Sequence, residues 1–388
     1  MYRIITFCLL LVWLLLSVAC SSNDKVQDGK TIRFDFEKPY ADPFQTGLFR
    51  NIRVLNLECE EVLFGEIDKI VRFNDRIYLL DDRVTRSVII YDTNGQFVNQ
   101  ISRYGEGPDE YFQLMDIFID PKDATLNLVS RADRKILTYD LDGRNLIKTS
   151  KLPKTFHRFT KTPSGYFGDM GNYAEDRSTP FNLWSLTDSL TLADGYDELD
   201  LSWSGNSFGD SHPFSVYGGT TYYITSMDFN IYTVAGKELS VRYQIDFDDK
   251  AWPEDRRDFA SYERMAYEEQ GYAHYISRLK FFQETKNFLI TKFTYQYRPL
   301  IGYYDKKKQE STVAILHPFT DGYYMPPATI ISMDEQAAYG LINASSLLFY
   351  CELEEVKKAY PEQLKRTREL FPDIKEDGNP LLVIYEFN

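Results

Sequence analysis

At 388 residues the chain is long enough for one large repeat domain or two ordinary ones. Its formal charge of −14 excludes nucleic acid and an anionic membrane surface as binding partners, because gripping phosphates takes clustered Lys and Arg. Cysteine is sparse, at four residues, which excludes a dense disulfide framework.

The first nineteen residues read as a signal peptide. One basic residue, Arg3, precedes a largely apolar run over 4–16, and small residues Ser17, Val18 and Ala19 follow. That run is too short to span a bilayer, which needs about 20 residues. Ala19-Cys20 resembles a bacterial lipobox, with Ser17 where that motif usually has Leu. The resemblance implies that Cys20 is lipidated and becomes the mature N-terminus; the alternative is an ordinary signal peptide cut nearby. No Asp follows Cys20 directly, so the same resemblance implies the outer membrane, facing either the periplasm or the exterior. Residues 20–30 are polar and read as a flexible tether. Residues 31–388 then form the folded part.

Within it, strand-like runs appear at 31–36 and 52–57. A first set of four follows at 67–73, 76–81, 87–92 and 97–101, broken by Asn74-Asp75 and Asn94-Gly95 turns. Asn-Gly between apolar runs is a strong hairpin signal. A second set lies at 116–120, 125–130, 135–140 and 145–150. The turn Tyr91-Asp92-Thr93-Asn94-Gly95 returns as Tyr139-Asp140-Leu141-Asp142-Gly143, and the offset of 139 − 91 = 48 also carries Arg83 onto Arg131 and Arg86 onto Arg134. A repeat of roughly 40 to 50 residues with short strands is the signature of propeller blades. Degenerate copies are expected at 164–192, 220–245 and 279–316, and a last one from 328–350 with 380–387. The fold class is therefore all-β, a six-bladed β-propeller with short helical insertions near 253–271 and 352–370, sealed by strands from both ends of the chain. In the second insertion Pro361 either kinks the helix or starts another.

Between the first two repeats lies Arg103-Tyr104-Gly105-Glu106-Gly107-Pro108-Asp109-Glu110-Tyr111. A Gly-x-Gly-Pro-x-x-aromatic connection, then Ile119-Asp120-Pro121, a strand and a Tyr-Asp-x-x-Gly turn, resembles the NHL-type six-bladed propellers. Together with the lipobox, the chain is similar to six-bladed propeller lipoproteins of Bacteroidota. The match is best over 62–150. It implies a fold and an address, since that group has no agreed molecular function.

Candidate ligand-binding residues are Arg83, Arg86, Arg103, Glu106, Asp109, Arg131 and Arg134, at loop ends where propeller ligands sit. One reading makes them a charged ring gripping a polar ligand by bidentate hydrogen bonds. The other makes the repeat-equivalent groups pair between blades, and their recurrence favours it. The four histidines show no zinc spacing, and no nucleophile elbow is present. No cofactor is expected; calcium would enter only if the chain were a metal-dependent propeller enzyme, a lactonase, lyase or glycan hydrolase. Tyr and Phe are abundant, at 29 and 27, which suits a glycan- or peptide-binding surface and equally suits strands. Cys59 and Cys351 are either separate buried thiols or a ring-closing disulfide. The reading that emerges is a lipid-anchored envelope module that binds a glycan, peptide or protein.

Overall fold

The computed structural model describes residues 29–57, 62, 64–206, 208, 212–235 and 238–388. Its strands form six sheets. Blade one holds β3 (Ile67–Phe73), β4 (Arg76–Asp81), β5 (Ser87–Asp92) and β6 (Phe97–Ile101), and blade two β7 (Leu114–Asp120), β8 (Thr125–Ser130), β9 (Lys135–Asp140) and β10 (Leu146–Lys151). Blade three holds β11 (Arg158–Thr162), β12 (Gly165–Asp169), β13 (Phe181–Leu186) and β14 (Leu192–Glu198). Blade four holds β15 (Phe214–Tyr217), β16 (Thr220–Ile224), β17 (Asn230–Ala235) and β18 (Glu238–Asp246), and blade five β19 (Phe281–Glu284), β20 (Phe288–Tyr295), β21 (Arg298–Asp305) and β22 (Glu310–Ala314).

Blade six closes the ring. Its inner strands β23 (Thr329–Met333), β24 (Ala337–Ile342) and β25 (Leu381–Phe387) come from the end of the chain, and its outermost strand, β2 (Phe49–Asn56), comes from the beginning. β2 runs antiparallel to β25, with Phe49 opposite Phe387 and Asn56 opposite Leu381. This pairing leaves no open joint between first and last blades.

The repeat geometry follows from side-chain alternation. In β4, Ile77 and Leu79 pack with Tyr339, Leu382 and Ile384 of blade six, whereas Tyr78 and Leu80 pack with Ile117, Leu126 and Leu137 of blade two. Successive residues point to opposite faces, and both faces are covered by a neighbour. That is why Ile-Tyr-Leu-Leu and Val-Ile-Ile-Tyr read as continuous apolar runs. Each such side chain contributes about 1.5–3 kcal/mol of burial. The hairpin glycines Gly95 and Gly143 hold φ of 85° and 65°, a conformation costly for residues with a Cβ.

Three features depart from the sequence reading. The region 344–350, expected within the last blade, is helical: α3 (Ala344–Glu352), then α4 (Glu354–Ala359) and α5 (Pro361–Leu370), follow α1 (Phe259–Tyr267) and α2 (Gly271–His274). Leu347 and Cys351, one turn apart, are the buried face of α3, so helical spacing overrides the strand composition. Pro361 occupies the first position of α5, where its missing N–H costs nothing. The inner strands β11 and β15 were not anticipated. Finally, β1 (Lys30–Arg33) pairs parallel with β18 as a fifth strand of blade four, 213 residues away at Arg33 and Asp246.

The signal peptide, Cys20, residues 20–28 of the tether, and Cys59 lie outside the described residues. Cys351 is a buried free thiol. No helix among the described residues is long and apolar enough to cross a membrane.

Candidate functional site

The chain enters each blade at its innermost strand and leaves it from the fourth strand outward (β18, inside the added β1, in blade four; β2, from the start of the chain, in blade six), so every connection between blades opens on one face of the disc. The connection from second to third strand opens there too. This loop face carries residues 82–86, 102–113, 131–134, 170–180, 199–206, 208, 212–213, 225–229, 247–280 and the five α-helices of the described residues. All seven residues proposed from sequence are on it.

Their roles differ. Buried Asp81 organises the first loop, accepting the backbone N–H groups of Val84 and Thr85 at 2.9 and 3.1 Å. Arg86 and Arg134 end equivalent loops in the left-handed conformation, with φ of 51° and 49°. Arg134 reaches blade three, 3.7 Å from Glu175, which matches the pairing between blades. Arg83 lies 3.3 Å from Glu66, in the connection that precedes its own blade. Arg86 and Arg131 do something else: their guanidinium groups lie over the rings of Tyr104 and Tyr173, at 4.5 and 5.5 Å.

Tyr104 in turn stacks on Phe112, with ring centroids 5.8 Å apart. Tyr104, Phe112 and Tyr173 are 48%, 46% and 40% exposed, unusually open for large rings. Arg131 joins the strip through its N–H, which donates to the carbonyl of Gln113, next to Phe112. Arg86, Tyr104, Phe112, Arg131 and Tyr173 thus form a track across blades one to three.

The glycine-rich connection beneath it is held by Tyr111. This fully buried ring donates its hydroxyl to the carbonyl of Arg86 at 2.7 Å, and the hydroxyl accepts the N–H of Arg103 at 3.1 Å. Glu110 accepts the N–H of Gly107, and Lys135 donates to the Gly107 carbonyl. Arg103, Glu106 and Asp109 project from this fixed loop as exposed side chains.

Inside the loop-face end of the channel, Arg158 makes a bidentate pair with Asp68 at 2.7 and 3.1 Å and also donates to the carbonyl of Met115. Asp116 accepts Lys69 Nζ at 2.7 Å and the N–H of Phe159 at 2.9 Å. Together these groups lock blades one, two and three. Burial pushes the nearby Asp82 carboxyl up to about 6, with the Asp68 charge adding to it.

Sequence reasoning missed a second feature, at the joint between blades three and four. Among the described residues the apolar core there is the smallest of the joints between blades, built on Phe167, Leu183, Tyr196, Tyr223 and Val234. A cleft of about 240 Å³ opens beside it, lined by Asn182, Asp197, Thr225, Trp203, Asp228 and Arg257. It is continuous through Asn172, Asn182, Thr225 and Ser226 with a smaller recess that reaches Asp169 and His157. The Tyr223 hydroxyl lies 3.0 Å from Asp169 and 3.2 Å from Asp197. Asp197 also accepts Thr225 Oγ1 at 2.7 Å and Asn182 Nδ2 at 3.2 Å.

Burial pushes Asp169 up to about 7 and raises Asp197, because desolvation disfavours the charged form. Burial, with the Arg158 and Arg131 charges, lowers His157 to about 3, so its imidazole is neutral. No spacing in the sequence marks these residues as a group, since they come from two blades. Among the described residues no three His, Cys, Asp or Glu side chains come together to hold a metal ion.

The family model for the Domain of unknown function (DUF4934) matches residues 33–386, that is, all six blades. The chain belongs to this family. In fold, this DUF4934 chain is similar to a presumed exported protein of Bacteroides fragilis, with 18% identity, a TM-score of 0.72, and 92% of this chain and 100% of that one covered. A member of the DUF4221 family from Bacteroides vulgatus is also similar, at 10% identity and a TM-score of 0.51 over 88% of this chain and 97% of that one. No curated protein matches the sequence.

Proposed function

We propose that the chain is a lipid-anchored cell-envelope binding module, held to the outer membrane through Cys20, which engages a peptide or protein partner through the loop face of blades one to three. The observation that carries this reading is the exposed arginine-capped aromatic track. Tyr and Arg dominate binding hot spots because they bring large contact area and directed hydrogen bonds at little entropic cost. Here the rings are already stacked and the guanidinium groups already placed, so little ordering remains to be done on binding.

Support for the address comes from the signal-like first nineteen residues and from the exported relative. The anchoring geometry agrees. β1 runs parallel to β18, whose last residue opens on the loop face, so the chain enters the domain from the opposite side. Cys20 lies ten residues before Lys30, a reach of at most about 35 Å. A lipid there draws the opposite side toward the membrane and turns the track outward.

Thermal unfolding of the full chain against oligosaccharides, peptides and divalent ions tests the reading, because a native-state ligand raises stability by RT ln(1 + [L]/Kd). A rise with peptides supports it. A rise with sugars moves the partner to a glycan, and a rise confined to calcium or another metal replaces the reading with a metal-dependent propeller enzyme.

A further inference from the structure

Apolar side chains left in solvent are concentrated on the loop face. Among the described residues twelve large apolar side chains are exposed, and only Ile147, on the outer strand of blade two, and Val216, on the inner strand of blade four, stand elsewhere. The track accounts for three of the other ten. Val84 lies in the loop of blade one and Leu201 in the connection after blade three, while Tyr267 ends α1 and Tyr297 sits in the turn between β20 and β21. Phe349, Tyr350 and Leu370 stand on α3 and α5, in blade six. Tyr267, Tyr297 and Phe349, at 73%, 63% and 62%, are more open than any ring of the track. Single exposed hydrophobics are ordinary on any surface, but their segregation to one end of the disc is not.

The same face holds a pocket of about 250 Å³ at the joint of blades five and six. Pro299 and Pro327 line it as exposed residues, Ile315 and Leu316 as half-buried ones, and Ile301 and Ile330 as buried ones. Among the described residues its polar lining is Lys292 and Thr329, and Lys292 donates to the Ile330 carbonyl. Small-molecule sites run to roughly 300–1,000 Å³ and set several polar groups to orient the ligand. This pocket is smaller and nearly without them. Its size suits one bulky apolar side chain, the kind of anchor that dominates protein interfaces when it fills a desolvated pocket.

We propose that the partner is a folded protein that covers the loop face of all six blades and seats one bulky apolar side chain, aliphatic or aromatic, in the pocket between blades five and six. The inference rests on the reading of the loop face as the working face and extends it from three blades to six. Tyr104, between blades one and two, and Tyr297, on blade five, lie on nearly opposite sides of the ring. A short peptide reaches one of them; contact with both takes a surface. Exposed Glu106, Asp109, Glu254 and Glu268, set among the apolar groups, repel an anionic bilayer. With the anchoring proposed above, two copies in one membrane turn their loop faces the same way, so a second copy is not the occupant.

NMR of the full chain with labelled isoleucine methyl groups tests the pocket. The probes are the N-acetyl amides of L-leucine, L-phenylalanine and L-tryptophan, with N-acetyl-L-alaninamide as control. Saturable shifts of the Ile301, Ile315 and Ile330 methyls are expected for at least one bulky amide, with binding at least about tenfold tighter than the control. Thr329→Trp, which brings an indole to the exposed lining, is expected to remove them. The comparison of bulky amide with control on the unaltered chain decides the matter even where the variant fails to fold. No shift at those methyls, or an equal response to all four amides, overturns the proposal. Photo-crosslinking in the cells that make the chain tests the extent of the face. A photoreactive residue at Tyr297 or at Phe349 is expected to yield the same crosslinked species as one at Tyr104, and Thr329→Trp to weaken the yield from position 297. Capture from position 104 alone overturns this proposal and leaves the track reading standing, whereas capture from none of the three overturns both.

Discussion

The hydroxyl of Tyr111 donates to the backbone carbonyl of Arg86 at 2.7 Å, joining the connection that leaves blade one to the loop that crowns it. Arg86 is also the residue whose guanidinium covers Tyr104. A buried ring thus fixes the arginine from below while an exposed ring receives it above. Burial pushes the Tyr111 phenol up to about 12, so it stays a donor across the working range of pH.

Removing only that hydroxyl should show it. Tyr111→Phe is expected to lower stability by about 1–3 kcal/mol, because the Arg86 carbonyl loses a buried donor. Tyr111→Ala should cost about 3–5 kcal/mol through the added cavity. Denaturant unfolding of the two variants beside the parent chain measures both. A Tyr111→Phe variant as stable as the parent would show that the loop is held by Glu110 and Lys135 instead.

The Arg158 and Asp68 pair should behave as a buried lock between blades. Arg158→Met leaves Asp68 charged and without its bidentate partner in a poorly solvated place, and should cost about 3–5 kcal/mol. Pairing Arg158→Met with Asp68→Leu should restore a good part of the loss. A double-mutant cycle by chemical denaturation reads this coupling, and strict additivity would refute it.

Two cleft residues give opposite pH dependences. His157 titrates near 6.5 when unfolded but is held near 3 when folded. Between these values the unfolded chain takes a proton that the folded one refuses, so stability falls as pH drops from about 6.5 to 3. Asp169 runs the other way. Its folded value of about 7 lies above the ordinary 3.8, so the folded state holds the extra proton and stability falls as pH rises from about 4 to 7. Each effect is on the order of a few kcal/mol. Asp169→Asn should therefore flatten the loss toward pH 7, and His157→Gln should flatten the loss toward pH 3. Unfolding midpoints from pH 4 to 8 check the first, and those from pH 3 to 7 the second; equal slopes in parent and variant would contradict either assignment.

How much of this could be read from the sequence depends on locality. The four strands of blade one stand where the apolar runs and the Asn74 and Gly95 turns put them, because both faces of β4 and β5 are covered and the turns need left-handed residues. The inner strands of blades three and four were not legible. Arg-Phe-Thr-Lys-Thr and Phe-Ser-Val-Tyr are short and half polar, since inner strands face the channel on one edge. The pairing of β1 with β18 spans more than 200 residues and leaves no local trace. α3 was misread because Leu347, Leu348, Phe349 and Tyr350 have strand composition, and only the burial of Leu347 with Cys351 reveals the helical period. Arginines repeating at an offset of 48 pointed to the loop face. Which of them pair between blades and which cover aromatic rings was decided by neighbours remote in sequence. The cleft was wholly hidden: Asp169 and Asp197 of blade three meet Tyr223 only because blade four packs beside them at the shared joint.

The central claim is that the loop face of blades one to three is the working face. Its most direct test is photo-crosslinking of the full chain in the cells that make it, with a photoreactive residue replacing either Tyr104 on the track or Lys307, exposed in the turn between β21 and β22 on the opposite side. The account predicts a discrete crosslinked partner from position 104 that is absent from position 307 and lost when Arg86 and Arg131 are changed to Ala. A partner captured from position 307 alone, or equally from both, would contradict it.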